Sequence, residues 1–99
     1  GFYRDIVKYK IATLLRNNKI SEAVEEFNQL ELVIENYIKF CQEQIQNPNT
    51  EKDFGEKAFK NMQNYTKEFA ESKKQTILQF LKEITDAKIF EEFKNLIEK

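Results

Sequence analysis

Residues that interrupt α-helices are scarce in this chain of 99 residues. It contains two Gly and one Pro, against usual frequencies of about 7% and 5%. The whole segment from Glu56 to Lys99 has neither. Because Gly and Pro are the strongest breakers of regular structure, their scarcity favours long helical segments. We therefore predict an all-α fold.

The spacing of apolar residues outlines the first two helices. Helix one is predicted over Phe2 to Arg16, and the two Asn of Asn17-Asn18-Lys19 favour a turn. Helix two begins near Ile20, with Ser21 as the candidate N-cap, and ends at Asn47-Pro48-Asn49 because Pro cannot continue the hydrogen-bond ladder. Each has one apolar stripe at helical spacing. These stripes are Tyr3, Ile6, Val7, Ile11 and Leu14, and Ile20, Ala23, Val24, Phe27, Leu30, Ile34, Ile38, Cys41 and Ile45.

The third helix is predicted to open at Thr50, whose side chain is a candidate cap. Its stripe is Phe54, Ala58, Met62, Tyr65 and Phe69. No apolar residue lies between Ala70 and Ile77, and Lys73 falls in the middle of the stripe. Either the helix continues past the bundle as a solvated segment, or it breaks near Ser72, where Ser72-Lys73-Lys74-Gln75 has the form of a capping box. A last helix follows from about Asp86, capped by Thr85 or Asp86.

Helices with one apolar face must bury that face on one another. Three or four of them with short connections predict an up-and-down bundle. We expect residues 1–99 to form a single domain, with a three-helix core over residues 1–71 and an additional helical segment over residues 72–99.

The residues that most enzymes depend on are missing. There is no His, which removes the usual general base and the His-based nucleophile and zinc systems. Cys41 lies on the apolar stripe of helix two and is better interpreted as a buried thiol than a reactive one. Gly55 is isolated and forms no phosphate-binding loop. We predict a chain that is not an enzyme and has no catalytic residue, cofactor or metal site.

Charge and cysteine content narrow the partners and the compartment. The net charge of −1 gives no global field that favours nucleic acid. A lone Cys41 favours reducing surroundings, hence a cytoplasmic location. No apolar run approaches the ~18 residues that span a bilayer, and no signal peptide is recognisable. The chain begins with Gly1 rather than Met, which favours a segment cut from a longer protein.

Two patterns on the helices have more than one interpretation. Helix one and its turn are basic, whereas helix two carries six Glu against Lys39, so either the two helices neutralise each other or the acidic side of helix two faces a basic partner. Val33, Tyr37 and Phe40 form a second apolar shoulder on helix two, and Leu32 lies off both faces. Either helix two is central and touches two neighbours, or the shoulder lines a groove for a partner helix.

Short motifs resemble a known family. Residues 14–27, Leu-Leu-Arg-Asn-Asn-Lys-Ile-Ser-Glu-Ala-Val-Glu-Glu-Phe, look like a hairpin of tetratricopeptide type, with Ala23 and Phe27 at its small-then-aromatic positions. A much longer second helix that carries Ile38-Lys39-Phe40 is similar to the second helix of the microtubule-interacting and transport (MIT) domain, which carries an Ile-Lys-Tyr-like segment. The resemblance covers residues 5–75 and includes, on the third helix, Tyr65, Ala70, Glu71 and Lys73-Lys74.

MIT-like domains are three-helix bundles that take up helical tails of ESCRT-III-type proteins along their grooves. The resemblance thus implies an adaptor in protein transport whose partner is a protein helix received by acidic and apolar groups. The expected partner-binding residues are Leu32, Val33, Glu35, Tyr37, Phe40 and Met62. The alternatives are a structural or homodimerising bundle, with Val33, Tyr37 and Phe40 against a second copy, and a small helical effector or inhibitor.

Overall fold

The fold is all-α. The computed structural model describes the backbone of residues 2–99 and the side chains of residues 3–99, which leaves Gly1 outside the described residues. No strand is found in this part of the chain, which forms six helices. They are α1 (Phe2–Arg16), α2 (Ile20–Gln46), α3 (Thr50–Phe54), α4 (Glu56–Asn64), α5 (Lys67–Ile84) and α6 (Ala87–Ile97). The predicted fold class, an all-α helical bundle, is confirmed, with six helices where three or four were expected.

The tertiary contacts divide the helices into two compact units. The first unit comprises residues 2–32 and 75–99, and the second comprises residues 33–74. Residues 75–99 thus group with the beginning of the chain, whereas the sequence had suggested a core over residues 1–71 with an addition at its end.

The core of the first unit comes from α1, α6, the first part of α2 and the last part of α5. Its buried side chains are Val7, Ile11, Ala12, Leu15, Ala23, Phe27, Leu30, Ile77, Leu81, Phe90 and Phe93. Phe27 packs edge-on against Phe93, with ring centroids 5.8 Å apart. The predicted stripe of α1 is only partly right, because Tyr3 and Ile6 are exposed while Leu15 is completely buried. The face that α1 buries is therefore rotated towards Ala12 and Leu15.

The second unit has a smaller core. Its buried apolar residues are Ile34, Ile38, Cys41, Met62 and Ala70. Thr50 is buried with them, and its hydroxyl donates to the backbone carbonyl of Gln44 in the last turn of α2. The prediction of Thr50 as a cap is wrong, because Thr50 is the first residue of α3 and Asn49 is the N-cap. The Thr50 side chain instead joins α3 to α2.

The predicted third helix is divided into three. Gly55 separates α3 from α4 with a φ of 94°, and Tyr65 and Thr66 separate α4 from α5. The helix does not break near Ser72: α5 runs without interruption through Lys73. The capping side chain is that of Thr66, whose hydroxyl oxygen accepts from the backbone N–H of Phe69 at 3.1 Å.

The other helix ends follow known capping geometry. Asn18 has a φ of 58°, and the N–H groups of Asn18 and Lys19 donate to the carbonyls of Leu15 and Leu14, which is the Schellman pattern. The prediction of Ser21 as N-cap is wrong, because α2 begins at Ile20 and the carbonyl of Lys19 accepts the first helical bond. The predicted cap Asp86 is confirmed.

None of the six described helices combines the length and the apolar character that crossing a membrane requires.

Candidate functional site

Four aromatic rings contact one another in series on the surface of the second unit. The ring centroids of Phe40 and Tyr37 are 6.1 Å apart, those of Tyr37 and Tyr65 are 4.7 Å apart, and those of Tyr65 and Phe69 are 5.4 Å apart. Tyr37, Phe40 and Phe69 remain 42%, 40% and 39% exposed, and Tyr65 is half-buried. We call Phe40, Tyr37, Tyr65 and Phe69 the aromatic row. Aromatic side chains of this kind dominate the energetics of protein interfaces.

Two segments of the chain supply the row. Tyr37 and Phe40 are three residues apart on α2 and therefore share one side of that helix. Tyr65 lies where α4 ends, with its N–H donating to the carbonyl of Met62. Phe69 is in the first turn of α5, which the Thr66 cap positions. The break between α4 and α5 thus determines where the second pair of rings lies.

The contacts within the row restrict the rings before any partner arrives. Tyr37 meets Tyr65 edge to face at an interplanar angle of 82°, and it lies nearly parallel to Phe40 at 22°. Offset-stacked and edge-to-face pairs are the favoured arrangements of aromatic rings. Side chains that are already ordered lose less conformational entropy when a partner binds.

A lysine lies at one end of the row. The Nζ atom of Lys73 is 5.1 Å from the ring centroid of Phe69, within the range of a cation–π interaction. Lys73 takes part in no ion pair among residues 3–99, whereas its neighbour Lys74 pairs with Glu71 at 3.1 Å. The positive charge at Phe69 is therefore not neutralised by a carboxylate of the described chain.

An acidic residue lies beside the other end. Glu43 is exposed and follows Phe40 by three residues on α2, which makes the two side chains neighbours on the helix surface. Glu35, the acidic group selected from the sequence, precedes Tyr37 by two residues. At 3.6 residues per turn, that spacing puts Glu35 on nearly the opposite side of α2 from Tyr37. Glu43 is thus the glutamate of α2 that adjoins the row.

The other predicted partner-binding residues have different positions. Val33 is exposed one turn before Tyr37 and extends the apolar surface along α2. Leu32 is exposed but belongs to the first unit. Met62 is only 8% exposed and lies in the core of the second unit, so it does not offer a contact surface.

Sequence reasoning assigned Tyr65 and Phe69 to a core stripe and left Lys73 as an anomaly. The sequence contains a signal for one pair only, because Phe69 and Lys73 are four residues apart on α5, the spacing of helical neighbours. What the sequence did not reveal is that Tyr65, in the break before α5, contacts both Phe69 and Tyr37.

Cys41 follows Tyr37 by one turn on α2 and is buried. Burial raises the pKa of the Cys41 thiol, although a hydrogen bond with Tyr37 acts in the opposite direction. Loss of solvation likewise raises the pKa of Tyr37, and contact with Cys41 adds to the effect. Both groups are therefore protonated at neutral pH, which leaves Cys41 a weak nucleophile.

Oppositely charged side chains of α1 and α2 form an ion pair in the first unit. The Nζ atom of Lys10 is 2.8 Å from a carboxylate oxygen of Glu26. The hydrogen bond to Glu26 and the attraction of its charge raise the pKa of Lys10. For this pair, the interpretation that the two helices neutralise each other is supported.

No group of three or more acidic or cysteine side chains that could hold a metal ion is found in the described part of the chain. Comparison with protein-family models, with curated proteins and with solved structures finds no significant match to this chain.

Proposed function

We propose that this chain is a non-catalytic adaptor domain that binds an amphipathic helix of a partner protein along the aromatic row. The observation that carries the proposal is the row itself: four rings in contact, three of them about two-fifths exposed. Residues of this type, partly ordered and presented to solvent, are typical of interaction surfaces.

The dimensions of the row are compatible with a helix as the ligand. Successive centroids are separated by 6.1, 4.7 and 5.4 Å, each close to the helical pitch of about 5.4 Å. Apolar residues at i, i+3 or i+4, and i+7 of a partner helix repeat at the same interval. A partner helix can therefore place one apolar side chain at each of the three ring contacts within three turns.

The resemblance to MIT domains suggests the biological setting. It implies that acidic groups on helix two and apolar groups on helices two and three receive a partially basic tail helix of an ESCRT-III-type protein, in protein transport or a related assembly. Glu43 beside Phe40 provides an acidic group for a basic residue of such a tail, the role that the sequence had given to Glu35.

Titration of the ¹⁵N-labelled chain with synthetic tail helices of ESCRT-III-type proteins tests the proposal. We expect saturable shifts of the amide signals of residues in and around the row. Tyr37→Ala and Phe40→Ala should each weaken binding by about 30-fold, since an aromatic hot-spot contact contributes about 2 kcal/mol.

Phe54→Ala is the matched control, because Phe54 is a similarly exposed Phe of the second unit that lies outside the row. It should leave the affinity within twofold of wild type. Circular dichroism of each variant separates loss of contact from loss of fold. If no tail helix gives saturable shifts, or if Phe54→Ala weakens binding as much as Tyr37→Ala, the proposal is wrong.

A homodimer is the second candidate, and the same exposure favours it. Val33, Tyr37 and Phe40 are each 40–44% exposed, and a second copy of the chain is another way to cover them. Sedimentation equilibrium distinguishes the two: a dimer predicts a molecular mass that rises with concentration and returns to that of the monomer in Phe40→Ala. A mass of 11.9 kDa at all concentrations excludes the dimer.

A further inference from the structure

We infer that the partner helix carries a carboxylate immediately beyond its last apolar anchor, and that this carboxylate pairs with Lys73. This inference rests on the proposed function, since it concerns the chemistry of the ligand for the aromatic row. It adds a requirement that the exposed rings do not impose: the end of the ligand that covers Phe69 has to be acidic.

The first argument is that the charge of Lys73 is unpaired. Two lysines in the described residues lie over aromatic rings, Lys8 over Tyr9 and Phe80, and Lys73 over Phe69. Lys8 also approaches the carboxylate of Asp5 at 3.8 Å. Lys73 contacts the ring of Phe69 and pairs with no carboxylate among residues 3–99.

The second argument concerns the position of that charge. Phe69 and Lys73 are one turn apart on α5, and the contact with the ring keeps the ammonium at the end of the row, 5.1 Å from the Phe69 centroid. An apolar anchor that covers Phe69 also removes water from beside the ammonium. A charge that loses water requires compensation, and an opposite charge close by provides it. The cation–π contact also strengthens when it is desolvated.

The third argument is that the row has opposite charges at its two ends. Lys73 lies beside Phe69, and Glu43 lies beside Phe40. A carboxylate at the Phe40 end would meet a like charge, which electrostatic complementarity disfavours. An acidic residue on the partner thus selects the Phe69 end and sets the direction in which the helix lies.

Three designed peptides test the inference by isothermal titration calorimetry. Each is an alanine-based helix with blocked termini and leucines at i, i+4 and i+7, and they differ only at i+11, which is Glu, Gln or Lys. We expect the Glu peptide to bind the wild-type chain about two- to fivefold more tightly than the Gln peptide, the range expected of a partly exposed ion pair. The Lys peptide should bind more weakly than the Gln peptide. The preference should shrink in high salt.

Variants of the chain assign the preference to Lys73. Lys73→Gln should abolish the difference between the Glu and Gln peptides, and Lys73→Glu should reverse it in favour of the Lys peptide. Lys39→Gln is the matched control: it removes the same charge from an exposed lysine that precedes Phe40 by one residue and points in a different direction. It should leave the order of the three peptides unchanged.

Three results overturn the inference. If the three peptides bind wild type equally, or if their order survives Lys73→Glu, Lys73 does not recognise a carboxylate; the proposed function stands in both cases, provided that Tyr37→Ala still weakens all three peptides. If no designed peptide binds saturably while a tail helix does, the inference is wrong and the proposed function stands; if neither binds, both are wrong.

Discussion

Asp86 shows how one side chain begins a helix. One of its carboxylate oxygens, Oδ1, accepts from the backbone N–H groups of Lys88 and Ile89 at 3.0 and 3.2 Å. Its backbone lies outside helical geometry, with φ and ψ of −53° and 134°. The first N–H groups of a helix have no partner within the helix, so this carboxylate satisfies two donors that would otherwise depend on water.

Asp86→Ala should lower the free energy of unfolding by about 1 kcal/mol, the usual cost of losing an N-cap side chain. Urea denaturation followed by circular dichroism measures it. Asp86→Asn is the control, because Asn caps helices about as well as Asp and should restore most of the stability. If Asn and Ala are equally destabilising, the cap contributes through its charge rather than through its hydrogen bonds.

At the scale of the element, the short connection between α3 and α4 depends on a single residue. Gly55 has φ and ψ of 94° and 159°, a region of backbone conformation that is essentially restricted to glycine. A Cβ atom placed on Gly55 would have no atom of a residue beyond its two chain neighbours within 4 Å. Substitution would therefore strain the backbone without causing a steric clash with other residues.

Gly55→Ala should destabilise the fold by about 1–3 kcal/mol through this backbone strain. The same urea titration measures the change, and Lys57→Ala provides a control at an exposed helical position two residues further on, where we expect less than about 0.5 kcal/mol. An unchanged midpoint for Gly55→Ala would mean that the connection adopts another conformation at no cost.

The helices show which patterns can be predicted from the sequence. The bounds of α1 and α2 and the start of α6 follow from strong local signals: the Asn pair with Asn18 in the left-handed region, Pro48, and the capping residue Asp86. The local signals for the breaks in the third predicted helix are weaker. Gly within a helical pattern is usually tolerated, and Tyr65 and Thr66 are neither Gly nor Pro.

The aromatic row was only half predictable for the same reason. Tyr37 and Phe40 were recognised because one helix brings them together, which helical spacing describes. Their contact with Tyr65 and Phe69 depends on tertiary packing and on the break at Thr66, and no local pattern specifies either. Ser72, which had the more complete capping motif, lies inside α5, so packing outweighed the local preference.

At the scale of the whole molecule, Cys41, Tyr37 and Lys10 respond to pH in the same direction. The pKa values of Cys41, Tyr37 and Lys10 are all raised, the first two mainly by burial and the third by Glu26. Each group keeps its proton to higher pH in the folded chain than in the unfolded chain. Where only the unfolded chain has released the proton, stability falls as pH rises.

We therefore predict that these groups do not change the free energy of unfolding near neutral pH. Above about pH 9, where an unfolded thiol ionises, the free energy of unfolding should fall as pH rises. Urea titrations at a series of pH values up to 11 measure the slope. Cys41→Ala should reduce the slope between pH 9 and 10 even though the substitution lowers stability at every pH. An unchanged slope in this variant would assign the effect to Tyr37 and Lys10.

The composition of the aromatic row has an optical consequence. The chain has four Tyr and no Trp, so its intrinsic fluorescence is that of tyrosine. Two of the four, Tyr37 and Tyr65, lie in the row with their ring centroids 4.7 Å apart, and the other two, Tyr3 and Tyr9, lie on α1. A partner helix with one Trp among its anchors would accept excitation energy from the pair in the row. Docking would then be visible as a decrease in tyrosine emission and a gain in tryptophan emission, with no label attached to the protein.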